Sequence, residues 1–209
     1  MKKNPYPGKF IVFEGLDGSG QSTQAKLLAE FLKNLPAGRQ GKKRQVLTTK
    51  EPTLDSAAGR IIRKVLDKKK KISPKKLQEL YAQDRKVHLN GLIIPNLKIG
   101  KIVISDRYYF SSFAYGSIET PLSCLLKLNN EFLMPDLIFF LDVKPETCLS
   151  RIKKRNREQT LFEEKFKLQK VYQNYKKILK KFKNVIIIDG EKNVKEVHRR
   201  IIKNLKLKI

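Results

Sequence analysis

The chain has 209 residues, of which 40% are apolar and 32% are charged, so it can build one α/β domain with a full hydrophobic core. Its longest strand-like apolar stretch, residues 137–141, is far shorter than the roughly 18 residues that a membrane helix needs. Forty-six basic residues against 20 acidic ones give a net charge of +26, which makes nucleic-acid binding a candidate. Because the lysines recur in every helical segment, and no RNA-binding or zinc-finger motif accompanies them, we expect no nucleic-acid partner. The short apolar runs give no reason to expect a membrane partner.

The cysteines and the N-terminus indicate a cellular location. Cys124 and Cys148 form no CxxC pair and lie in apolar helical contexts, so we expect both to be buried reduced thiols. The apolar run 10–13 is closed by Glu14, which is too soon for the core of a signal peptide, about 7–15 residues long. These features predict a cytoplasmic protein.

Five short apolar runs alternate with longer helical patterns along the chain. They are continuously apolar, which is typical of strands buried on both faces of a parallel sheet. The runs cover residues 10–13, 46–49, 102–105, 137–141 and 185–188. Since the segments between them are long enough for crossover helices, the pattern predicts a doubly wound α/β domain.

Three helices are marked by sequence signals. The first follows a glycine-rich loop and carries apolar residues with a period of 3.6. Ser73 and Pro74 supply an N-cap and a first-turn proline for the second helix, which we expect to reach Pro95. Residues 159–182 predict a long amphipathic helix, whereas residues 36–41 predict an exposed loop.

The glycine-rich loop stands between a strand and a helix, which is the context of a phosphate-binding loop. The backbone N–H groups of such a loop point at a phosphate, and the helix start adds positive charge. The candidate ATP-binding residues are Gly15, Leu16, Asp17, Gly18, Ser19, Gly20, Gln21, Ser22 and Thr23. Ser22 stands where a hydroxyl would hold Mg²⁺, but Gln21 replaces the lysine of the motif, and a plain strand-to-helix turn is the alternative. On the motif alone, restoring the lysine would raise turnover by about tenfold or less.

Polar residues follow every predicted strand, and ligands of open α/β sheets bind beyond these strand ends. After the phosphate loop, these residues are Lys50 and Glu51, Asp106 and Arg107, Asp142, and Asp189. We expect all of these ends to converge on one rim. Asp106, together with Ser22, is the candidate metal site.

Two further groups are candidates for nucleotide contacts. Tyr81 and Arg85 share one helix face with His88, and a ring with a guanidinium one turn away can stack on a base and contact the same nucleotide. Alternatively, Tyr81 is a core aromatic, and we expect His88 to be an ordinary surface or capping residue. The basic segment 151–157 either surrounds a transferring phosphoryl group or forms a solvated helix face.

The chain resembles the thymidylate kinases along nearly its whole length. The matching motifs are Phe-Glu-Gly-Leu-Asp-Gly-Ser-Gly at 13–20, Thr-Lys-Glu-Pro-Thr at 49–53, Leu-Tyr-Ala-Gln-Asp-Arg at 80–85, Asp-Arg-Tyr at 106–108 and Ser-Ser-Phe-Ala-Tyr at 111–115. The resemblance implies a three-layer α/β/α P-loop kinase fold with a five-stranded parallel sheet, as a single domain over residues 1–209 with a helical lid at about 150–164. It also implies transfer of the γ-phosphoryl group of ATP, with Mg²⁺, to dTMP to give dTDP, and a homodimer.

The resemblance implies roles for individual residues. Asp17 would meet the acceptor, and Arg107 would hold the acceptor phosphate near the donor. Arg155 and Arg157 of the lid would supply catalytic cations, and Tyr115 would disfavour ribonucleotides. The residues implied to bind dTMP are Lys50, Glu51, Tyr81, Arg85, Arg107, Ser112 and Tyr115.

Three departures from the family pattern leave other functions open. Gln21 replaces the loop lysine, and Gly116 stands where many bacterial members have a glutamine that binds the base. Thr160 and Leu161 replace an Asp-Arg pair of the lid. The alternatives are therefore a kinase of another nucleotide, such as dUMP or a deoxynucleoside, or a catalytically silent nucleotide-binding paralogue.

Overall fold

A five-stranded sheet forms the centre of the protein, in which a computed structural model describes residues 1–37, 42–154 and 161–206. Its order is β4-β5-β1-β6-β7, and every neighbouring pair of strands is parallel. A separate antiparallel pair, β2 with β3, flanks residues 38–41, so the centre of the expected loop lies outside the described residues. The strands are β1 (Lys9–Gly15), β2 (Pro36–Ala37), β3 (Lys42–Lys43), β4 (Val46–Lys50), β5 (Ile102–Asp106), β6 (Leu137–Asp142) and β7 (Val185–Asp189).

Helices connect the strands of the sheet. They are α1 (Gln21–Lys33), α2 (Ala57–Leu66), α3 (Pro74–His88), α4 (Ile94–Lys98), α5 (Tyr109–Gly116), α6 (Leu122–Asn129), α7 (Pro145–Lys153), α8 (Leu161–Leu179) and α9 (Val194–Lys206). The predicted start of α3 is confirmed, because Oγ of Ser73 accepts a hydrogen bond from the N–H of Lys76 at 3.3 Å. The helical path does reach Pro95, but through a π-helical turn at Leu89–Ile93, and Pro95 lies in the first turn of α4, where a proline is tolerated.

The two faces of the sheet carry separate apolar cores. Successive side chains of β1 alternate between them: Phe10 and Val12 face one core, and Ile11 and Phe13 face the other. Helices α1 and α9 cover the core of Ile11, while α4 to α8 cover the core of Phe10. This arrangement has three layers, α/β/α, and it confirms the predicted fold class.

The two edge strands differ from the prediction. The sequence predicts burial on both faces for all five strands, but β4 and β7 are only partly buried, and Ile187 of β7 is 55% exposed. Each edge strand has a neighbour on one side only and lies at the border of the helix layers. Their apolar composition alone therefore does not distinguish them from the central strands.

The cysteine prediction is right for one residue and wrong for the other. Cys148 lies within α7 and is buried in the core, whereas Cys124 is exposed. Helix α6 buries Leu125 against the core and turns the neighbouring Cys124 toward solvent, because adjacent residues of a helix point in different directions. Within the described ranges, none of the helices combines the length and apolar character needed to cross a membrane.

Candidate active site

A tight loop joins the end of β1 at Gly15 to the start of α1 at Gln21. Gly18 and Gly20 have φ angles of 84° and 95°, in the left-handed region that favours glycine. A Cβ at Gly18 would also lie 2.7 Å from the carbonyl oxygen of Cys148. The first N–H groups of α1 have no acceptor within the helix. The loop therefore presents backbone donors and the positive end of a helix dipole to an anion.

The side chain of Gln21 is turned inward, and it is only 5% exposed. With its amide nitrogen toward the carbonyl oxygen of Leu16 (3.0 Å), its oxygen accepts from Nε and Nη2 of Arg107 at 2.8 and 2.5 Å. The opposite orientation would set the NH₂ group of the amide against the guanidinium, donor against donor. The glutamine at the lysine position thus contacts the arginine that the sequence assigns to the acceptor phosphate.

Arg107 connects this loop to the adjoining cavity. It follows β5, has a φ of 72°, and donates from Nη1 to Oγ of Ser111 at 2.9 Å. Its Nη2 donates to Oδ1 of Asp17 at 2.8 Å, and its guanidinium lies 5.4 Å from the ring centroid of Tyr115. The hydroxyl of Tyr115 in turn donates to Oδ2 of Asp17 at 3.0 Å. Asp17, Arg107 and Tyr115 therefore form one cluster at the mouth of the loop.

Glu14 is a fully buried carboxyl group next to this cluster, and its sequence pattern indicates no role in the site. Its oxygens accept from the N–H of Tyr108 (2.8 Å), from Oγ of Ser111 (2.6 Å) and from the hydroxyl of Tyr175 (2.8 Å). Burial raises its pKa from 4.5 to about 7, against the opposing effect of Arg107. Because Tyr108 and Ser111 flank the start of α5, Glu14 fixes the turn that carries Arg107.

A cavity of about 370 Å³ opens beside Arg107, between α3 and α5. Tyr81 of α3 lies half-buried in its wall, and burial raises the pKa of this tyrosine, so the ring stays neutral. Its lining includes the side chains of Asp17, Gln78, Tyr81, Arg107 and Tyr115, together with Gly116.

A buried polar network supports the cavity wall. Arg85 is 2% exposed, and it donates from Nε to Oε2 of Glu51 at 2.7 Å and from Nη2 to Oγ of Ser112 at 3.2 Å. Its Nη1 donates to Oδ1 of Asn129 at 2.5 Å. His88 is also buried, with Nδ1 at 3.1 Å from Oε1 of Glu51, so the expectation of a surface histidine is wrong. The carboxylate of Glu51 supplies the partner that offsets the cost of burying both residues.

The strand ends lie at one end of the sheet, as expected for parallel strands, but they serve different purposes. Lys50 is exposed and stands opposite Asp106 in the register of β4 with β5. Asp142 accepts from the hydroxyl of Tyr172 at 2.7 Å and pairs with Lys176 at 2.6 Å, both on α8. Asp189 pairs with Arg200 of α9 at 3.2 Å. Each of the last two carboxylates holds a helix against the sheet. In the described part of the chain, Lys50, Asp142 and Asp189 do not line the cavity beside Arg107.

The candidate metal site combines two oxygen groups. Oγ of Ser22, at the start of α1, donates to Oδ2 of Asp106, at the end of β5. The other oxygen, Oδ1 of Asp106, is buried and has no protein partner among the described atoms. A hydroxyl and a carboxylate are oxygen ligands of the kind that Mg²⁺ prefers, so these residues fit that ion. Groups of three or more His, Cys, Asp or Glu side chains suited to a metal are not found within the described ranges.

The basic segment after β6 is described only in part. Arg151 of α7 donates from Nη2 to the carbonyl oxygen of Gly190 at 3.1 Å and from Nη1 to that of Ser19 at 3.4 Å, so it borders the loop. Arg155, Arg157 and Thr160 lie outside the described residues, as does the side chain of Leu161.

The parallel sheet, the glycine-rich loop at the end of its central strand and the adjoining cavity define a P-loop kinase fold. The sequence agrees with a family model described as thymidylate kinase over residues 13–201. This match spans most of the chain, and the protein belongs to the thymidylate kinase family.

Several relatives support this membership. The chain is 41% identical over 203 residues to a probable thymidylate kinase of Thermococcus kodakarensis, which covers 92% of this chain and 95% of that protein. It is 39% identical over 198 residues to a probable thymidylate kinase of Methanocaldococcus jannaschii, with 94% and 95% covered. It is 36% identical over 202 residues to a thymidylate kinase of Caldicellulosiruptor saccharolyticus, again with 94% and 95% covered.

Proposed function

We propose that this protein transfers the γ-phosphoryl group of ATP to dTMP, giving dTDP, as a single kinase domain over residues 1–209. The observation that carries the proposal is the position of Arg107. This one guanidinium pairs with Asp17 of the glycine-rich loop at 2.8 Å and lines the 370 Å³ cavity. A phosphate held by Arg107 would lie between an anion site and a pocket of the size of a small ligand, as an in-line transfer requires.

The cavity is the acceptor site in this proposal. The neutral ring of Tyr81 would stack on the base, while Arg107 would hold the phosphate of dTMP with a charge-assisted contact. Tyr115, fixed by its hydrogen bonds to Asp17, would lie along the sugar. Glu51, Arg85 and Ser112 would keep the wall in place through their buried network, and Lys50 would assist from the exposed end of β4.

The loop is the donor site. Residues 15–23 would cradle the phosphates of ATP with backbone N–H groups and the start of α1. Ser22 and Asp106 would hold Mg²⁺, which neutralises charge on the phosphates when it is bound. This role is supported by the buried Oδ1 of Asp106, for which the described residues offer no hydrogen-bond partner.

Cations of the lid, at about residues 150–164, would complete the site. Arg151 already borders the loop through its contact with the carbonyl oxygen of Ser19. Arg155 and Arg157 follow it and would surround the transferring group, because phosphoryl transfer depends mainly on positioning and on charge stabilisation. Replacing Arg155 and Arg157 with alanine should therefore lower kcat strongly and leave the melting temperature almost unchanged. A clear fall in the melting temperature together with the loss of kcat would assign them a structural role.

We also propose a cytoplasmic homodimer. Val87 and Leu92 are exposed apolar side chains on the continuous helical segment from α3 to α4, and the exposed Ile99 directly follows that segment; a second copy of the chain would cover them. The cytoplasmic location is supported by the free thiol of Cys148 and by the need for ATP. Light scattering of the wild type and of Val87→Glu tests the dimer, since a charge in the interface should yield monomers.

A substrate panel tests the function. ADP formation is measured with ATP, Mg²⁺ and, in turn, dTMP, dUMP, dCMP, dAMP, dGMP and thymidine. The proposal predicts the highest kcat/KM with dTMP. A preference for another acceptor would assign that substrate instead, and an absence of transfer to every acceptor, with ATP still bound, would identify a silent paralogue.

A further inference from the structure

Gln78 carries an unpaired polar atom in the wall of the acceptor cavity. The residue belongs to α3 and is only 8% exposed. Its Oε1 is buried and has no hydrogen-bond partner in the described part of the protein. An unsatisfied buried carbonyl oxygen destabilises a fold. Because this oxygen has almost no exposed surface, a ligand meets it only when the amide turns toward the cavity, and a hydrogen bond made there would offset the cost of the missing partner.

The amide of Gln78 occupies space that a side chain at position 116 would need. A Cβ added to Gly116 of α5 would lie 2.8 Å from Cδ, 2.9 Å from Oε1 and 3.0 Å from Nε2 of Gln78. The glycine therefore admits an amide that reaches from α3 across to α5. Both residues line the cavity.

Gln78 also lies on the helix face that presents the aromatic ring. It precedes Tyr81 by three residues and Arg85 by seven, so all three residues share one face of α3. A base that stacks on Tyr81 would have its edge within the cavity that Gln78 lines. The edge and the face of the base would then be recognised by neighbouring turns of one helix.

We propose that Gln78 is a base-binding residue that recognises the imide edge of a pyrimidine in the acceptor. Oε1 accepts from the N3–H group of the base, and Nε2 donates to its O4 atom, so the two hydrogen bonds are parallel. Cytosine carries the reverse pattern, an acceptor at N3 and a donor at N4, and it pairs with the same amide rotated by 180°, so Gln78 recognises a pyrimidine edge and does not by itself separate thymine from cytosine. This inference rests on the proposed function, because it concerns the acceptor of the same reaction.

A cycle of two enzymes and two substrates tests the contact. The enzymes are the wild type and Gln78→Met, which keeps length and volume but has no amide; the substrates are dTMP and its N3-methyl derivative, which lacks the donor. We expect the wild type to lose at least about tenfold in kcat/KM on N3-methylation, and Gln78→Met to lose about as much on dTMP. The variant should show little further loss with the methylated substrate, and its KM for ATP should be unchanged. Equal losses from methylation in both enzymes would overturn the inference, because a structural role for Gln78 predicts independent effects.

Two further variants keep the test decisive. Gln83→Met alters an exposed glutamine on the same helix and should behave as the wild type with both substrates. Gly116→Ala leaves Gln78 in place but forces its amide aside, so it should lower kcat/KM for dTMP and reduce the discrimination against the methylated substrate. This variant tests the contact even if Gln78→Met does not fold. Unaltered discrimination in Gly116→Ala would count against the contact. Turnover of dTMP by the wild type distinguishes the two proposals. If the wild type does not phosphorylate dTMP, the proposed function is wrong; if it does, the variants test the role of Gln78 alone.

Discussion

Replacing Gln21 with lysine tests whether the phosphate loop is built around the glutamine. The buried amide oxygen accepts two hydrogen bonds from Arg107, at 2.8 and 2.5 Å. Hydrogen bonds to a charged group contribute about 1.5–3 kcal/mol each, and they are not additive. A lysine loses both and sets an ammonium group beside the guanidinium. At a separation of about 4 Å and an effective dielectric constant of about 20, this repulsion is about 4 kcal/mol.

Part of this penalty is offset, because Asp17 pairs with Arg107 and the lysine can extend toward solvent. We expect the free energy of unfolding of the nucleotide-free Gln21→Lys variant to fall by about 2 kcal/mol, which lowers the melting temperature by about 4–8 °C in a chain of this size. Because Arg107 loses the two hydrogen bonds to Gln21 and is repelled by the ammonium group, its position for the acceptor phosphate is disturbed, and kcat/KM for dTMP should fall by about tenfold or more. The motif alone predicts the opposite, a modest rise in turnover.

The assay measures dTDP formation at saturating ATP with varied dTMP, and thermal unfolding with and without ADP. Gln21→Met is the matched control, since it removes the hydrogen bonds without adding charge. It should lie between the wild type and Gln21→Lys in both measurements. Bound ADP should narrow the difference in melting temperature, because its phosphates in the proposed donor site would offset the repulsion between the two cations. A higher kcat/KM with an unchanged melting temperature in Gln21→Lys would refute the reasoning.

Three other substitutions test the remaining parts of the site. Arg107→Ala should lower kcat by roughly two to three orders of magnitude, because a charge-assisted contact contributes about 2–4 kcal/mol at the transition state. Its circular dichroism should be unchanged, and wild-type turnover would contradict the assignment. Tyr81→Ala should raise the KM for dTMP but not for ATP, because stacking contributes about 1–3 kcal/mol per base; a lower melting temperature with unchanged KM would make Tyr81 a core residue. Burial raises the pKa of Glu14 from 4.5 to about 7, so between these values the folded chain holds a proton that the unfolded chain has lost, and stability falls as the pH rises. Glu14→Gln lacks this dependence. Measured by urea unfolding, the free energy of unfolding of the wild type should therefore fall relative to that of Glu14→Gln by about 3 kcal/mol between pH 4.5 and 8; a difference that does not change with pH would exclude the raised pKa.

The fold could be predicted from the sequence because its signals are local. A continuously apolar run of four or five residues specifies a strand covered on both faces, and the five runs of this chain correspond to the five strands of the sheet. The cap at Ser73 and the following proline specify the start of α3 in the same way. The same signals cannot tell an edge strand from a central one, since Ile187 differs from its neighbours only in what covers it.

The polar part of the site was harder to predict because its partners are distant in sequence. Arg85 and Tyr81 have the spacing of a nucleotide-binding face, yet Arg85 is buried and pairs with Glu51, which lies 34 residues away in the sequence. Glu14 receives a hydrogen bond from Tyr175, 161 residues along the chain, and no pattern around either residue indicates this contact. Whether a polar residue faces a ligand or a buried partner depends on such pairs, which only the folded chain brings together.

Two of the departures from the family pattern share a physical explanation in the folded chain. Where the loop lacks its lysine, the shorter amide of Gln21 holds Arg107 in place; where position 116 lacks a side chain, the amide of Gln78 fills the space. In both places the altered residue and its neighbour fit each other within hydrogen-bond or van der Waals distance, so neither can be judged alone. A lysine at position 21 would meet a guanidinium, and a side chain at position 116 would meet an amide 2.8 Å away. Restoring either family residue by itself therefore disturbs a contact that the present sequence has already made, and the effects of contacting residues are not additive.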